Sequence, residues 1–148
     1  MYTKNSETYD ILTVSPSAFA GGTTNARGDD GGTSDPLTLL TVTGVVAMKL
    51  FGVCTVNLAS AGSGTLSVGT ALSTAGLIAL TTATDIDAGE IWHDATPDAS
   101  IELSAIATEK IVTQDVKEYV GTADITAGQI YYVCMWRPLS LGATVKVA

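Results

Sequence analysis

His93 is the only histidine of this 148-residue chain, and it stands in "IWHDATPD" with Asp94 beside it and Asp98 close by. An imidazole next to a carboxylate can serve as general base and orienter. That chemistry also needs a nucleophile, and the chain holds no G-x-S-x-G elbow or comparable signature. Neighbouring residues of a strand point to opposite faces, so His93 and Asp94 need not meet. The reading is a loop-edge histidine with a structural hydrogen bond, and no catalytic residue is assigned: the chain is not expected to be an enzyme.

A second constellation is "DIDAGE", where Asp85, Asp87 and Glu90 offer oxygens at alternate positions, as calcium loops do. The same chain repeats the phrase as "DITAGQ", with Asp124 kept but Thr126 and Gln129 replacing the other two carboxylates. Common to both copies are Asp, Ile, Ala, Gly, Ile and a following aromatic. Asp accepts backbone N–H bonds in turns, and Gly takes positive φ at low cost. Both stretches are therefore expected to be corners that deliver the chain into a new strand, without a metal or other cofactor.

Three further patterns carry less. Arg27-Gly28-Asp29 is an adhesive tripeptide set in a Gly-rich run, where Gly and Asp are simply good turn formers. "GSGTLSVG" lacks the Lys-Ser/Thr and the helix of a phosphate loop. Trp92 and Trp136, with Tyr131 and Tyr132, offer either a sugar-stacking platform or core and interface residues. Alternation in "IYYVCMW" divides Ile130, Tyr132, Cys134 and Trp136 from Tyr131, Val133 and Met135, and at least one set must be core.

The elements that position these residues are strands. "VVAMKLFGVCTVNL" runs Val46, Met48, Leu50, Gly52, Cys54, Val56 and Leu58 in one phase, a fully apolar face at period 2. "VTG" before it marks a hairpin or bulge. Short strands then follow in "GTLSVGTA", "GLIALTTA", "GEIWHDA", "SIELSAI", "EKIVTQ", "VKEYVGTADI", "GQIYYVCMWRPL" and "ATVKVA", each bounded by turn residues. One helical turn is allowed in "SAIATEKIV". The fold expected is an all-β, single-domain β-sandwich, jelly-roll-like, over residues 37–148. Residues 1–36 read as an extended N-terminal arm, tethered by a short strand at "TYDILTV". Within the arm Thr23, Asn25, Arg27, Asp29, Asp30 and Asp35 are the candidates for a capsid or subunit contact, or belong to a surface loop without a partner.

Composition narrows the partners. Net charge is −8, and the seven basic residues form no cluster, which argues against nucleic acid and against an anionic membrane. No apolar window is long enough for a transmembrane helix, and "MYTKNSETYD" lacks the apolar core of a secretory signal. A soluble product made in the cytoplasm is expected, with Cys54 and Cys134 as buried free thiols or, after export to an oxidising milieu, a disulfide. Charged residues make up only 15% of the chain, against about 25% in an average soluble domain, so part of the surface is expected to face another chain.

The phrases "LLTVTGVVAMKLFGVCTVNL", "STAGLIALTTATDIDAGEIWHDATPD" and "TADITAGQIYYVCMWRPLS", with the short final strand, resemble small virion proteins encoded among the head and tail genes of tailed bacteriophages. The resemblance covers most of Leu37 to Ala148. It implies a β-sandwich or jelly roll that sits on the outer capsid surface as a decoration or cement subunit. Its partners would be copies of itself, often as a trimer, and the major capsid protein. It carries over no functional residues, since such proteins work through surfaces; the alternative is a host-recognition or glycan-binding module of a tail or fibre using Trp92 or Trp136.

Overall fold

The structure, a computed structural model, describes residues 8–102 and 107–148. Period-2 stretches become strands: β1 (Asp10–Val14), β2 (Leu37–Thr43), β3 (Val46–Ala59), β4 (Thr65–Thr70), β5 (Ser73–Thr82), β6 (Glu90–Trp92), β7 (Asp98–Ala99), β8 (Lys110–Val112), β9 (Val116–Gly121), β10 (Ala127–Pro138) and β11 (Thr144–Val147). A single 3-10 turn, Ala83–Asp85, interrupts them. The strand expected at "SIELSAI" is absent over residues 100–102, since β7 has already ended at Ala99; beyond Glu102 that stretch lies outside the described residues, as does the beginning of "SAIATEKIV".

Two antiparallel sheets face one another as a single-domain β-sandwich. The first, sheet A, runs β1-β10-β3-β6-β7 with β8 also against β3; the second, sheet B, runs β11-β2-β9-β4-β5. The pairing is nested: β1 with β10, β2 with β9, β3 with β6 and β8, and β4 with β5. The chain is thus a long two-stranded ribbon, closed by the β4–β5 hairpin and wrapped so that successive segments alternate between sheets. Gly44, at φ +75°, sits where β2 of sheet B passes into β3 of sheet A. The hairpin expected at "VTG" is therefore an inter-sheet corner. A side chain at Gly44 would meet Ser140 Oγ at 2.7 Å and Ala143 at 3.1 Å.

The core lies between the sheets. On β3 it takes Val46, Met48, Leu50, Gly52, Cys54 and Leu58, and on β10 it takes Ile130, Tyr132, Cys134 and Trp136. Val56, expected on that face, is 54% exposed because the ladder to β10 slips at Gln129 and moves the phase. Gly52 is closely packed from both flanks: a Cβ there would lie 2.9 Å from Ile130 and 3.3 Å from the rings of Trp92 and Tyr132. Those two rings meet above it at 6.3 Å between centroids, tilted by 52°.

The repeated phrase builds two corners on either flank of β3. Gly89 and Gly128 both take positive φ, +91° and +116°, and Ile86 and Ile125 are both fully buried. Trp92 and Tyr132 both pair with Gly52, from opposite sides. By sequence Trp92 matches Tyr131; the bulge at Gln129 shifts the second copy by one residue, so Tyr132 takes the inward place instead.

Candidate functional site

The two outer faces of the sandwich differ. On sheet B the outward residues of β2, β4, β9 and β11 include Thr41, Thr43, Thr65, Lys117, Tyr119, Thr144 and Lys146, the polar alternation of a solvated sheet, with Ser67 on the same side but covered and bonded to Thr74 O. On sheet A the apolar outward residues are Ile11, Phe51, Val53, Ile91, Tyr131, Val133 and Met135, in adjoining registers across four strands, with Thr13, Lys49 and Asp98 on the same face opposite Val133, Met135 and Ile91. Five of the apolar residues line the central ladder, where Phe51 pairs with Val133 and Val53 with Tyr131 and Ile91. Each is half-buried by its neighbours except Ile11, which is 67% exposed. Charged and polar groups border this face at one end: Arg137 donates to Glu109 at 2.8 Å, Tyr9 donates to Glu109, and Lys49 lies 5.4 Å from the Tyr9 ring. An apolar centre with a charged border is how contact surfaces between subunits are composed.

The segment expected as an extended arm is folded onto its own domain. The Phe19 amide donates to Gly128 O, the Gly21 amide to Ile125 O, and the Ile125 amide to Gly28 O, all at 2.8–2.9 Å. Gly21 and Gly28 are required there, since a Cβ on either would fall 2.3 Å from a backbone oxygen. Arg27 then enters the core. Its Nε and Nη2 donate to Glu118 Oε1 and Oε2 at 2.8 and 2.6 Å, Nη1 donates to Ser17 O at 2.8 Å, and the guanidinium lies 3.9 Å from the Phe19 ring centroid. Tyr132 also donates to Glu118 Oε2. Burial opposes the Arg27 charge, but Glu118 outweighs it and holds the guanidinium above its ordinary value. Burial, reinforced by Glu118, holds the Tyr132 phenol well above its ordinary range.

This changes the standing of the candidate contact residues. Arg27, buried to 4% exposure, is a structural anchor and faces no neighbour, which also removes the adhesive tripeptide as a surface motif. Asp35 accepts the Val120 and Gly31 amides, and Asp29 is half-buried under Gly32. Asn25, at φ +64°, accepts from the Thr33 hydroxyl. Asp30 donates its amide to Asp124 Oδ1 at 2.8 Å. Thr23, Asn25 and Asp30 remain exposed on this folded loop.

His93 lies just past the end of β6, in the bend leading to β7. Because the strand has ended, the ring lies near both acids: Nδ1 lies 3.5 Å from Asp94 Oδ2, and Nε2 lies 2.8 Å from Asp98 Oδ2. Both ring nitrogens thus face carboxylates. In the first corner, Glu90 accepts the Asp87 amide at 2.8 Å, and Asn57 accepts the Ala88 amide, so the loop is closed by its own side chains.

Trp92 is fully buried, its indole donating to Thr81 Oγ1 at 2.9 Å, and Trp136 is 9% exposed. Neither offers a sugar platform. Cys54 and Cys134 are free thiols inside the core. An open groove of about 240 Å³ between the β4–β5 hairpin and β8 is lined by Leu72, Lys110 and Ile111; it is smaller than the roughly 300–1,000 Å³ of small-molecule sites. No helix among the described residues is long and apolar enough to cross a membrane. Comparison with protein-family models, curated protein sequences and solved structures returns no match.

Proposed function

We propose that this chain is a non-enzymatic structural subunit of a virion. In this reading it is a head decoration or cement protein that binds the outer capsid surface by multivalent contact. The apolar outer face of sheet A carries the reading. A sandwich whose core is already filled gains nothing from Phe51, Val53, Tyr131 and Val133 on its outside unless another protein covers them. Copies of the same chain are the proposed cover, in a homo-oligomer, with a trimer favoured.

Other observations support this. The nested ribbon, ordered 1-10-3-6 against 2-9-4-5, favours a jelly roll, an architecture frequent in capsid proteins, although fold alone does not fix function. The low charge content suits buried subunit contacts. Thr23, Asn25 and Asp30 present a shaped, anchored loop that suits contact with the major capsid protein. Several weak contacts on one symmetric oligomer act at high effective concentration, so each can be weak alone. The glycan-binding alternative loses its support with the burial of Trp92 and Trp136.

Native mass by light scattering, followed by co-sedimentation with undecorated heads, tests the proposal. The chain should be an oligomer, and Phe51→Lys with Val133→Lys should convert it to a folded monomer with weaker binding to heads. A wild-type monomer would overturn the oligomer, and failure of the wild type to sediment with heads would overturn the decoration role.

A further inference from the structure

We infer that the β6–β7 bend is a binding site for a divalent first-row transition ion, with His93 Nε2, Asp98 and Glu102 as its ligands. These three groups each bring one ligand atom to within 4.8 Å of the others. His93 Nε2 and Asp98 Oδ2 are already 2.8 Å apart. Metal–ligand bonds of about 2.0–2.2 Å place adjacent donors roughly 3 Å apart, so a small widening of that pair and an inward swing of Glu102 would seat an ion. Imidazole with carboxylates selects zinc, manganese or a similar ion over calcium, which takes oxygen donors.

The surroundings of the ring make a second, independent argument. A ligating imidazole normally gives its other N–H to a carboxylate, which fixes the tautomer and the ring plane. Asp94 stands in that place. Its Oδ1 is held by the Thr96 amide at 2.7 Å, and its Oδ2 lies 3.5 Å from His93 Nδ1. Nε2 and Asp98 Oδ2 share a hydrogen bond at 2.8 Å, and an ion seated between them would take the place of the shared proton. The imidazole side chain is only 9% exposed, so its orientation is set by packing. Asp94 and Asp98 face the two nitrogens of one imidazole, and a divalent ion at Nε2 would be drawn by their charge. The nearby Lys110 spends its ammonium on the Gly76 and Leu77 carbonyls. Asp98 is paired with Ile91 across the β6–β7 hairpin, so an ion here would pin the short edge strand and the chain up to Glu102.

Because His93 is the chain's only histidine, its ring resonances report on the site without assignment. The full chain, stripped with EDTA, is titrated with zinc chloride while the imidazole NMR signals and the heat of binding are followed. The expected result is one zinc per chain, with the imidazole signals moving to a stoichiometric endpoint. Glu102→Gln and Asp98→Asn, checked for fold by circular dichroism, should each weaken binding by tenfold or more. Asp94→Asn, which touches no ligand atom of the ion, should weaken it by about tenfold. Imidazole signals that do not move overturn the site. So does zinc binding that the Glu102 and Asp98 variants leave unchanged, because a lone imidazole or another part of the chain would then be the ligand.

Discussion

The two corners built from one phrase have different fates. The first, Asp85 to Trp92, turns in solvent: nothing lies within 4 Å of where a Gly89 side chain would go, and its Glu90 carboxylate bonds within the loop. The second, Asp124 to Tyr131, is overlaid by the Phe19–Asp30 segment, and a Cβ on Gly128 would strike Leu58 Cδ2 at 2.3 Å and Asn57 O at 2.7 Å. The phrase specifies the turn, and the chain that lies across it specifies the burial. Identical local chemistry therefore carries unequal energetic weight.

The largest test of that difference removes the anchor of the overlying segment. Arg27→Met leaves the Glu118 carboxylate buried at 1% exposure without its cation. Breaking a buried pair from one side costs about 3–5 kcal/mol, whereas removing both charges is far cheaper. Chemical denaturation should show a loss of that size for Arg27→Met, and Arg27→Met with Glu118→Gln should recover much of it, since the amide still accepts from Tyr132. The Arg137–Glu109 pair at the surface supplies the contrast, with Arg137→Met expected to cost far less than Arg27→Met. Equal losses at the two arginines would mean that the Phe19–Asp30 segment is held by its backbone bonds alone.

Next in size come the glycines themselves. Gly89→Ala should cost about 1–2 kcal/mol, the strain of positive φ in an open loop. Gly128→Ala adds a collision with the β3 backbone and should cost roughly 3 kcal/mol or more. Matched thermal melts decide the matter: a Gly128 loss no larger than the Gly89 loss would make the two corners equivalent after all.

A pH series separates the corners by their buried thiols. Burial, with the charges of Glu90 and Asp87 behind it, pushes Cys54 beneath the first corner up to about 11, although a backbone hydrogen bond at Val56 opposes it. Burial alone pushes Cys134, in mid-β10, up to about 12. Both lie above the ordinary 9.0, so the folded chain keeps protons that the unfolded chain releases. Their stabilising contribution is whole below pH 9.0 and is lost as pH rises through the folded values. Denaturation midpoints should be level with respect to these groups below 9.0 and fall above it, and iodoacetamide should alkylate Cys54 before Cys134 as pH climbs. Reaction of either thiol at neutral pH in the folded state would contradict the burial on which this ordering rests.

How much of this could be read from the residues depends on which signals are local. Strands and corners were legible because alternation and turn chemistry act over a few residues, and every described strand falls within an expected stretch or beside it. The Arg27 anchor was not, because "ARGDDGG" has the composition of a solvated loop and its partner lies far along the chain. A signal did exist: in "VKEYV" Glu118 shares the inward phase with Val116 and Val120, and a carboxylate on an apolar phase needs a buried cation. The outer face of sheet A announces itself similarly, since "LFGV" and "YYVCM" are apolar in both phases and only one can face the core. The His93 cluster was hidden by treating its loop as strand, where neighbours diverge; the bend after Trp92 instead folds Asp94 and Asp98 around one ring.

The smallest test asks whether the extra carboxylates of the first corner matter at all. Glu90 accepts the Asp87 amide at 2.8 Å, and the second copy, with Gln129 in that position, makes no such bond and sends its amide to Pro16 O instead. Glu90→Gln therefore converts the first corner toward the second in chemistry while leaving its solvent setting. A neutral acceptor in place of a charged one at an exposed site should cost about 0.5 kcal/mol, and not more than about 1. It should also lower the Cys54 pKa slightly, because one of the charges that raise it is gone. A stability loss like that of Gly128→Ala would show that the solvent-facing corner depends on its carboxylate as the buried corner depends on its glycine. The shared turn chemistry would then be insufficient by itself in either place.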